Sequence, residues 1–380
     1  MSRGSVKRSG SGWMFVVELS PDPITKQRRQ LKRRGFRTKQ LAIAAMDEAL
    51  EQARTGTLVK PKRTTLEAFL TETWLPAMKH RVRPTTHDNY RRCVKKHIVP
   101  VLGAVELQQL DETSVERWLT GLADVELAAK SIRNVHGVLS KALEDAKRLR
   151  LVARNAAARA DLPRVPQRAP RVWTTAQLHQ FLDGTAEDRW APMWRLFAMT
   201  GMRRGEVLGL RWSDVDLKAG TLTVTTQRTI AGGSIVEGPP KSRSGARTIA
   251  IDSATVDALK AWRRQQKADQ LLMGAGWLDT GGLVFTWPDG SPPWPQAVTG
   301  WFQGQAGDLG LPRIGLHGLR HTSATWHIAS GRSPKLVAQR LGHSHVNVTL
   351  HLYSHVLPGE DRTAAEAMAA AVDLSEERSS

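Results

Sequence analysis

Two short basic segments that carry proline cut this chain into three parts. Thr57 to Thr64 reads Thr-Leu-Val-Lys-Pro-Lys-Arg-Thr, and Pro163 to Arg171 reads Pro-Arg-Val-Pro-Gln-Arg-Ala-Pro-Arg. Proline removes a backbone donor and turns the residue before it away from helix, so a helix does not run through either segment. Three prolines in nine residues make the second an extended, semi-rigid linker. The breaks predict domains at residues 1–57, 65–162 and 172–380. A chain of 380 residues suits two or three domains, and a hydrophobic content of 41% is enough for buried cores.

Charge narrows the partners. The formal net charge is +19, which points to a polyanion. A membrane surface is the competing explanation, but no strongly amphipathic basic helix supports it. No run of eighteen apolar residues spans a bilayer, and no apolar stretch precedes a cleavage site, so neither a membrane span nor a signal peptide is expected. Cys93 is the one cysteine, which excludes a disulfide framework and a cysteine metal cluster and suits a reducing cytoplasm.

Residues 1–57 read as a β-β-β-α unit. Trp13 to Leu19 is β-prone, Ser20-Pro-Asp-Pro23 is a turn, and Lys26 to Arg34 is a basic second strand. Gly35-Phe-Arg37 is a short third strand. Thr38 caps a helix with Leu41, Ala45, Met46, Leu50 and Ala53 on one side, and Gly56 ends it. The first forty residues hold eleven Lys and Arg against two acidic residues. Such a thin sheet repels itself unless phosphates neutralise it, and strands can enter the major groove.

Residues 65–162 read as nearly all helix. Thr65 caps a helix to Leu75, and Pro84-Thr85 opens one toward His97 that Pro100 and Gly103 break. Ser114 to Leu122 is short. A longer helix opens at Ser131 and keeps Ile132, Val135, Val138, Leu139 and Leu143 on one stripe through about Arg148. In residues 172–380, Thr175 caps a helix to about Leu182, and Trp190 to Met199 is an apolar helix at the centre of a core. Thr221 to Thr225 and Arg247 to Ile251 alternate as strands, with a turn at Gly232-Gly233. Helices follow at Val256 to Gln266 and Pro295 to about Ala306, and the alanine-rich stretch from Asp361 to Leu374 is a last one.

The chemistry concentrates between His317 and Tyr353. His317 and Arg320 stand three apart, so a helix puts them on one face until Gly331 stops it. Ser333-Pro334 starts a second helix, Gly342 ends it, and His343 follows in the loop. A third helical stretch carries Tyr353. Tyrosine is scarce here, with two in the chain against thirteen tryptophans. Alone, Tyr353 would read as a packing residue. Beside these histidines and this arginine it reads as phosphate chemistry. Arginine holds phosphate oxygens in a fixed fork, histidine moves protons near neutral pH, and a tyrosine oxygen can form a covalent intermediate.

These residues resemble the catalytic box of the tyrosine recombinase (phage integrase) family. The family pattern adds an upstream arginine, found in Thr200-Gly-Met-Arg203-Arg-Gly-Glu206 ahead of Leu210-Arg-Trp-Ser-Asp214, and a hairpin lysine, supplied by Pro240-Lys241-Ser-Arg243. The pieces occur in family order, which makes the set specific where one His-x-x-Arg would be weak.

The resemblance implies a multidomain fold, mainly α with small β-sheets: an N-terminal arm-type DNA-binding domain, a helical core-binding (SAM-like) domain, and an α+β catalytic domain with a C-terminal tail. It implies that Tyr353 attacks a DNA phosphate and forms a 3′-phosphotyrosine link while a 5′ hydroxyl leaves. Arg203 and Arg320 clamp the phosphate, His343 hydrogen-bonds it, Lys241 protonates the leaving oxygen, and His317 takes the tyrosine proton. Arg203 is chosen over Arg204 because the family places the residue two after Gly201. Arg204 is expected to face a carboxylate or the DNA backbone, and Glu206 to orient the site.

The function implied is a site-specific DNA integrase, integrating and excising a phage or mobile element. The alternatives are a transposon-type recombinase and a non-catalytic DNA-binding regulator. Expected partners are double-stranded DNA at core and arm sites, further copies of the chain in a homotetramer, an excisionase and a host DNA-bending protein. The expected location is the bacterial cytoplasm, at the nucleoid. No cofactor is expected. His317 and His321 have the spacing of a zinc helix, but Gly318 stands where the glutamate belongs, so no metal is expected. Gly201 to Gly205 lacks the Gly-Lys-Ser/Thr ending of a nucleotide loop.

Overall fold

A computed structural model describes residues 4–21, 26–55, 63–166 and 170–347, together with Leu350 and Glu366. By internal contacts the chain divides into Met1–Pro166 and Gln167–Ser380, with the break inside the second proline-rich segment.

The first unit opens with an antiparallel sheet in the order β1 (Gly4–Ser9), β2 (Gly12–Leu19), β3 (Arg29–Phe36). Helix α1 (Lys39–Arg54) covers one face, over a core of Phe15, Val17, Leu31 and Ala49. The alternate residues face the other way. Across the open face Lys7 pairs with Met14 and Met14 with Arg34, and Val16 pairs with Lys32, so the basic side chains form rows. The β-β-β-α architecture is as expected, but the strands are redistributed. The polar strand Gly4–Ser9 gave no alternation signal, and the two strands expected over Lys26 to Arg37 are one. Gly35, with φ at +92°, sits in a bulge that lets Trp13 pair with Phe36 and Met14 with Arg34. Thr38 caps α1, its hydroxyl accepting from Leu41 N. The buried face centres on Ala42 and Ala49, and Leu41 is 54% exposed rather than on the inner side. Gly56 lies outside the described residues.

The helical part carries α2 (Leu66–Ala68), α3 (Leu75–Lys79), α4 (Pro84–Cys93), α5 (Val99–Leu102), α6 (Glu112–Asp124) and α7 (Ala129–Arg148). Pro100 does not break its helix. Wide turns at Phe69–Trp74 and Val94–Ile98 join α2 to α3 and α4 to α5, with Leu75 N donating to Leu70 O and Val99 N to Val94 O. Each wide turn ends just before a proline, Pro76 or Pro100. The five-residue register opens room for a ring that would otherwise strike the carbonyl four residues back. Asp111, not Ser114, sets the start of α6, its carboxylate accepting from Ser114 N. One apolar cluster including Phe69, Trp74, Trp118 and Leu139 holds these helices together.

The second unit runs α8 (Thr175–Gly184), α9 (Ala191–Thr200), α10 (Arg204–Leu208), β4 (Val215–Asp216), β5 (Thr221–Val224), β6 (Gln227–Ala231), β7 (Ser234–Gly238), β8 (Arg247–Ala250), α11 (Ser253–Met273), α12 (Pro295–Asp308), α13 (Leu316–Ala329) and α14 (Pro334–Leu341). Thr174, one residue before the expected cap, starts α8 through a reciprocal pair with Gln177. Strands β4, β5 and β8 form one antiparallel sheet, and β6 and β7 a hairpin whose turn, Gly232-Gly233, has both φ values positive, at 61° and 82°. The apolar helix α9 buries Met193, Trp194, Leu196 and Phe197 and packs against α11 and α13. Around it Trp173, Phe181, Trp194 and Phe302 make edge-on and tilted ring contacts.

Helix α9 ends at Gly201, whose left-handed φ of +62° turns the chain toward Arg203. A Cβ at this position would lie 2.6 Å from Leu341 Cδ2. Gly201→Ala therefore meets both backbone strain and overlap, and should destabilise the second unit by about 1–3 kcal/mol. In urea titration the midpoint should fall with the slope unchanged. An unchanged midpoint would show that Leu341 yields freely.

Candidate active site

Four elements deliver the site residues. After Gly201, Arg203 sits in extended conformation at the start of α10, and Glu206 follows one turn later. Glu206 is 1% exposed, and its oxygens are fully engaged. Oε1 accepts from Arg203 Nη1 at 2.7 Å, while Oε2 accepts from Arg203 N and from Arg247 Nη2, both at 2.9 Å. Burial alone would raise the pKa of this carboxyl. The bond and charge of Arg247, with the backbone and side-chain bonds of Arg203, outweigh it and hold the group below its ordinary value.

Helix α13 supplies His317, Arg320 and His321. Arg320 is 2% exposed, and its guanidinium donates to Gly201 O at 2.9 Å and to Leu341 O at 2.6 Å. His317 and His321 meet edge to face, with ring centroids 4.6 Å apart. Helix α14 starts at Ser333, whose hydroxyl accepts from Leu336 N, and ends at Gly342 with φ at +67°. His343 follows in the loop, its backbone N donating back to Ala338 O at 2.9 Å.

Three arginines converge on the end of α14. Arg247 Nε donates to Arg340 O at 2.6 Å, Arg320 Nη2 to Leu341 O at 2.6 Å, and Arg203 Nη2 to Gly342 O at 3.1 Å. These are carbonyls that the helix itself leaves unpaired, at the negative end of its dipole. Arg340 in turn donates to Ala250 O and Met199 O, tying α14 to β8 and α9.

The structure thus brings Arg203, Arg320, His317 and His343 into one cluster. Burial, then the charges of Arg320 and Arg203, lowers the pKa of His317. The same causes in the same order, with the neighbouring histidines added, push His343 down to about 4. Burial, then His317 and Arg320, pushes His321 down to about 4. All three imidazoles are therefore neutral at pH 7 in the free protein. Lys241 is exposed, in the loop between β7 and β8, and among the described residues its side chain makes no hydrogen bond or ion pair to this cluster. Tyr353 lies outside the described residues, as does the stretch from Asp361 to Leu374 apart from Glu366.

Glu206, expected to orient the site, bonds to both Arg203 and Arg247. Of the two partners expected for Arg204, the carboxylate is not the one the structure shows. The half-buried Arg204 guanidinium donates to the Thr299 hydroxyl on α12 at 2.7 Å. The buried Arg247 was not singled out from sequence. The signal was there: in an alternating strand Arg247 shares a face with Ile249, and they pair with Val224 and Leu222. An arginine on an inward-facing register calls for buried acceptors.

The phage integrase family model matches residues 173–360, its N-terminal SAM-like domain residues 65–123, and the Arm DNA-binding domain residues 5–53. The chain belongs to the phage integrase family and is a tyrosine site-specific recombinase. It is 26% identical, over 96% of its length, to 97% of a tyrosine recombinase XerC-like protein of Caldanaerobacter subterraneus subsp. tengcongensis. It is 22% identical, over 95% of its length, to 98% of the ICEBs1 integrase of Bacillus subtilis. Its fold matches that of the Tn1549 transposon integrase in complex with transposon right end DNA, with a TM-score of 0.68 and 21% identity over 80% of this chain and 100% of that one.

The depressed histidines fix a sign for pH dependence. Unfolded, His321 and His343 titrate near their ordinary 6.5, and folded they stay neutral to about 4. Protons therefore favour the unfolded chain, and stability present above 6.5 is lost as pH falls toward 4. The thermal midpoint of the DNA-free protein should fall between pH 7.5 and 5, and His321→Asn should flatten part of that fall. Equal midpoints at both pH values would contradict it.

Proposed function

We propose that this recombinase integrates and excises a mobile DNA element by conservative strand exchange, with Tyr353 as nucleophile. Tyr353 Oη attacks the scissile phosphorus and its proton passes to His317. The bond to the 5′ oxygen breaks, and Lys241 gives that oxygen a proton. The 3′-phosphotyrosine keeps the energy of the broken bond, so a partner strand's 5′ hydroxyl reverses the step without a high-energy cofactor. Arg203, Arg320 and His343 stabilise the phosphorane charge, the kind of preorganised electrostatics that dominates such catalysis.

The observation that carries this reading is the pairing of Arg203 and Arg320 with consecutive carbonyls, Gly342 O and Leu341 O, immediately before His343. Two positive groups and a neutral imidazole donor thereby meet where one phosphate could engage them. Arg203, its side chain 39% exposed, is the one placed to touch phosphate, with Arg320 beneath it.

The family matches support the domain roles, and the basic charge of the first forty residues supports the first of them. Residues 1–57 bind arm-type DNA sites through the basic open face of the β1–β3 sheet, residues 65–162 bind the crossover core, and residues 172–380 carry the chemistry. The working assembly is a homotetramer on two duplexes, at the nucleoid of the bacterial cytoplasm, with an excisionase and a host DNA-bending protein setting direction.

Tyr353→Phe should keep DNA binding and lose all covalent protein–DNA product on a suicide substrate nicked near the crossover. Adduct formation by this variant would remove Tyr353 from the reading.

Deleting residues 1–63 should abolish footprints at arm sites and leave core binding in place. The log–log salt slope should flatten by roughly 0.9 for every phosphate that the shortened protein no longer neutralises. Unchanged arm footprints would refute the arm-binding role.

A further inference from the structure

Arg247 has no role in the proposed chemistry, yet it bonds to the end of α14, to the Lys241 turn and to the carboxylate that holds Arg203. Its side chain is only 7% exposed. One guanidinium makes three bonds to three separate pieces of chain: Nε to Arg340 O at 2.6 Å, Nη1 to Gly245 O at 2.9 Å, and Nη2 to Glu206 Oε2 at 2.9 Å. The first holds the end of α14, two peptides before His343. The last shares the carboxylate that holds Arg203. The middle one holds the turn that carries Lys241.

That turn is a closed unit. Gly245 N donates to Ser242 O at 2.9 Å, and the Ser242 and Ser244 hydroxyls bond at 2.9 Å. Gly245 is pressed on Pro240, where an added Cβ would collide with Pro240 Cβ. Holding Gly245 O therefore holds Pro240 and Lys241 with it. The turn also lies on the end of α14. A Cβ on Gly342 would come within 2.8 Å of Ser244 O and 2.9 Å of Arg247 Nη1. Glycine at 342 and 245 permits a close approach that a side chain at either would open.

We propose that Arg247 is a positioning residue that fixes the Lys241 turn against the end of α14, so that proton delivery to the leaving oxygen and the phosphate contact from His343 share one register. This rests on the reading of Lys241 as general acid. A planar fork with three fixed partners can set this register, whereas a lysine in its place has one nitrogen and no fork. Misplacing a donor by about 1 Å can lower a rate by roughly a hundredfold.

The test compares cleavage of ordinary DNA with cleavage of DNA whose bridging 5′ oxygen is sulfur, a leaving group that needs no proton. Lys241→Ala should be slow on the first and recover on the second. Arg247→Lys should slow ordinary cleavage by about ten- to a hundredfold, recover to within a few-fold of wild type on the sulfur substrate, and add less than about twofold when combined with Lys241→Ala. Gly245→Ala, which disturbs the turn but leaves the Glu206 pair, should show the same selective loss if Arg247→Lys does not fold. An Arg247→Lys protein equally slow on both substrates, while Lys241→Ala recovers, would overturn the inference alone and move Arg247 to the phosphate clamp. Lys241→Ala remaining slow on both would overturn the general-acid reading and the inference with it.

Discussion

Everything in the site depends on how one helix ends. The last carbonyls of α14 point out of the helix without partners, and three guanidinium groups from α10, α13 and β8 take them in turn. Bonds from a charged donor contribute about 1.5–3 kcal/mol each. Charges this enclosed also lose their hydration, so the net gain in stability is small. What the arrangement secures is position. Gly342 is locked, His343 is aimed, and Arg203 and Arg320 are held together despite their mutual repulsion. Glu206 compensates part of this charge. Its single buried carboxylate serves both Arg203 and Arg247, and without it two guanidinium groups would face each other uncompensated.

The surrounding fold brings those groups to the same place. The rings of Trp173, Phe181, Trp194 and Phe302 fix α9, and α9 ends at the glycine that turns the chain into Arg203. Trp173 N bonds to the Thr322 hydroxyl and its indole to Pro312 O, so the start of this unit is fastened to α13 two residues past Arg320. The β5–β8 pairing sets the register that turns Arg247 inward. Each of these interactions works at the level of packing, and its consequence appears at the level of charge.

The sequence made the helix ends legible because capping is local. Ser333-Pro334 and Gly342 bound α14 with the residues that cap chemistry demands, and Thr38 and Thr65 did the same elsewhere. The order of Arg203, His317, Arg320 and His343 was legible because chemistry restricts the residue types. What stayed hidden depends on partners far along the chain. Pro100 looked like a breaker because the wide turn before it is not visible in composition. Strand β1 is short and polar, and its pairing with β2 rather than its own pattern makes it a strand. Arg247 was read only as the first residue of a strand, because two of its three acceptors, Arg340 O and Glu206, lie far along the chain. The Thr299 hydroxyl that Arg204 bonds lies on α12, 95 residues away, beyond the reach of local pattern.

The arginine lock is complete before DNA arrives. Proton exchange at the guanidinium Nε–H groups of the DNA-free protein, followed by nitrogen-edited NMR, tests it directly. In this account the Nε–H of Arg247, bonded to Arg340 O, exchanges far more slowly than those of exposed arginines such as Arg28 and Arg54, and slows little further when DNA is added. An Arg247 Nε–H that exchanges as fast as the exposed arginines, and is protected only on DNA binding, would contradict it: the site would then be assembled by the substrate, not presented to it.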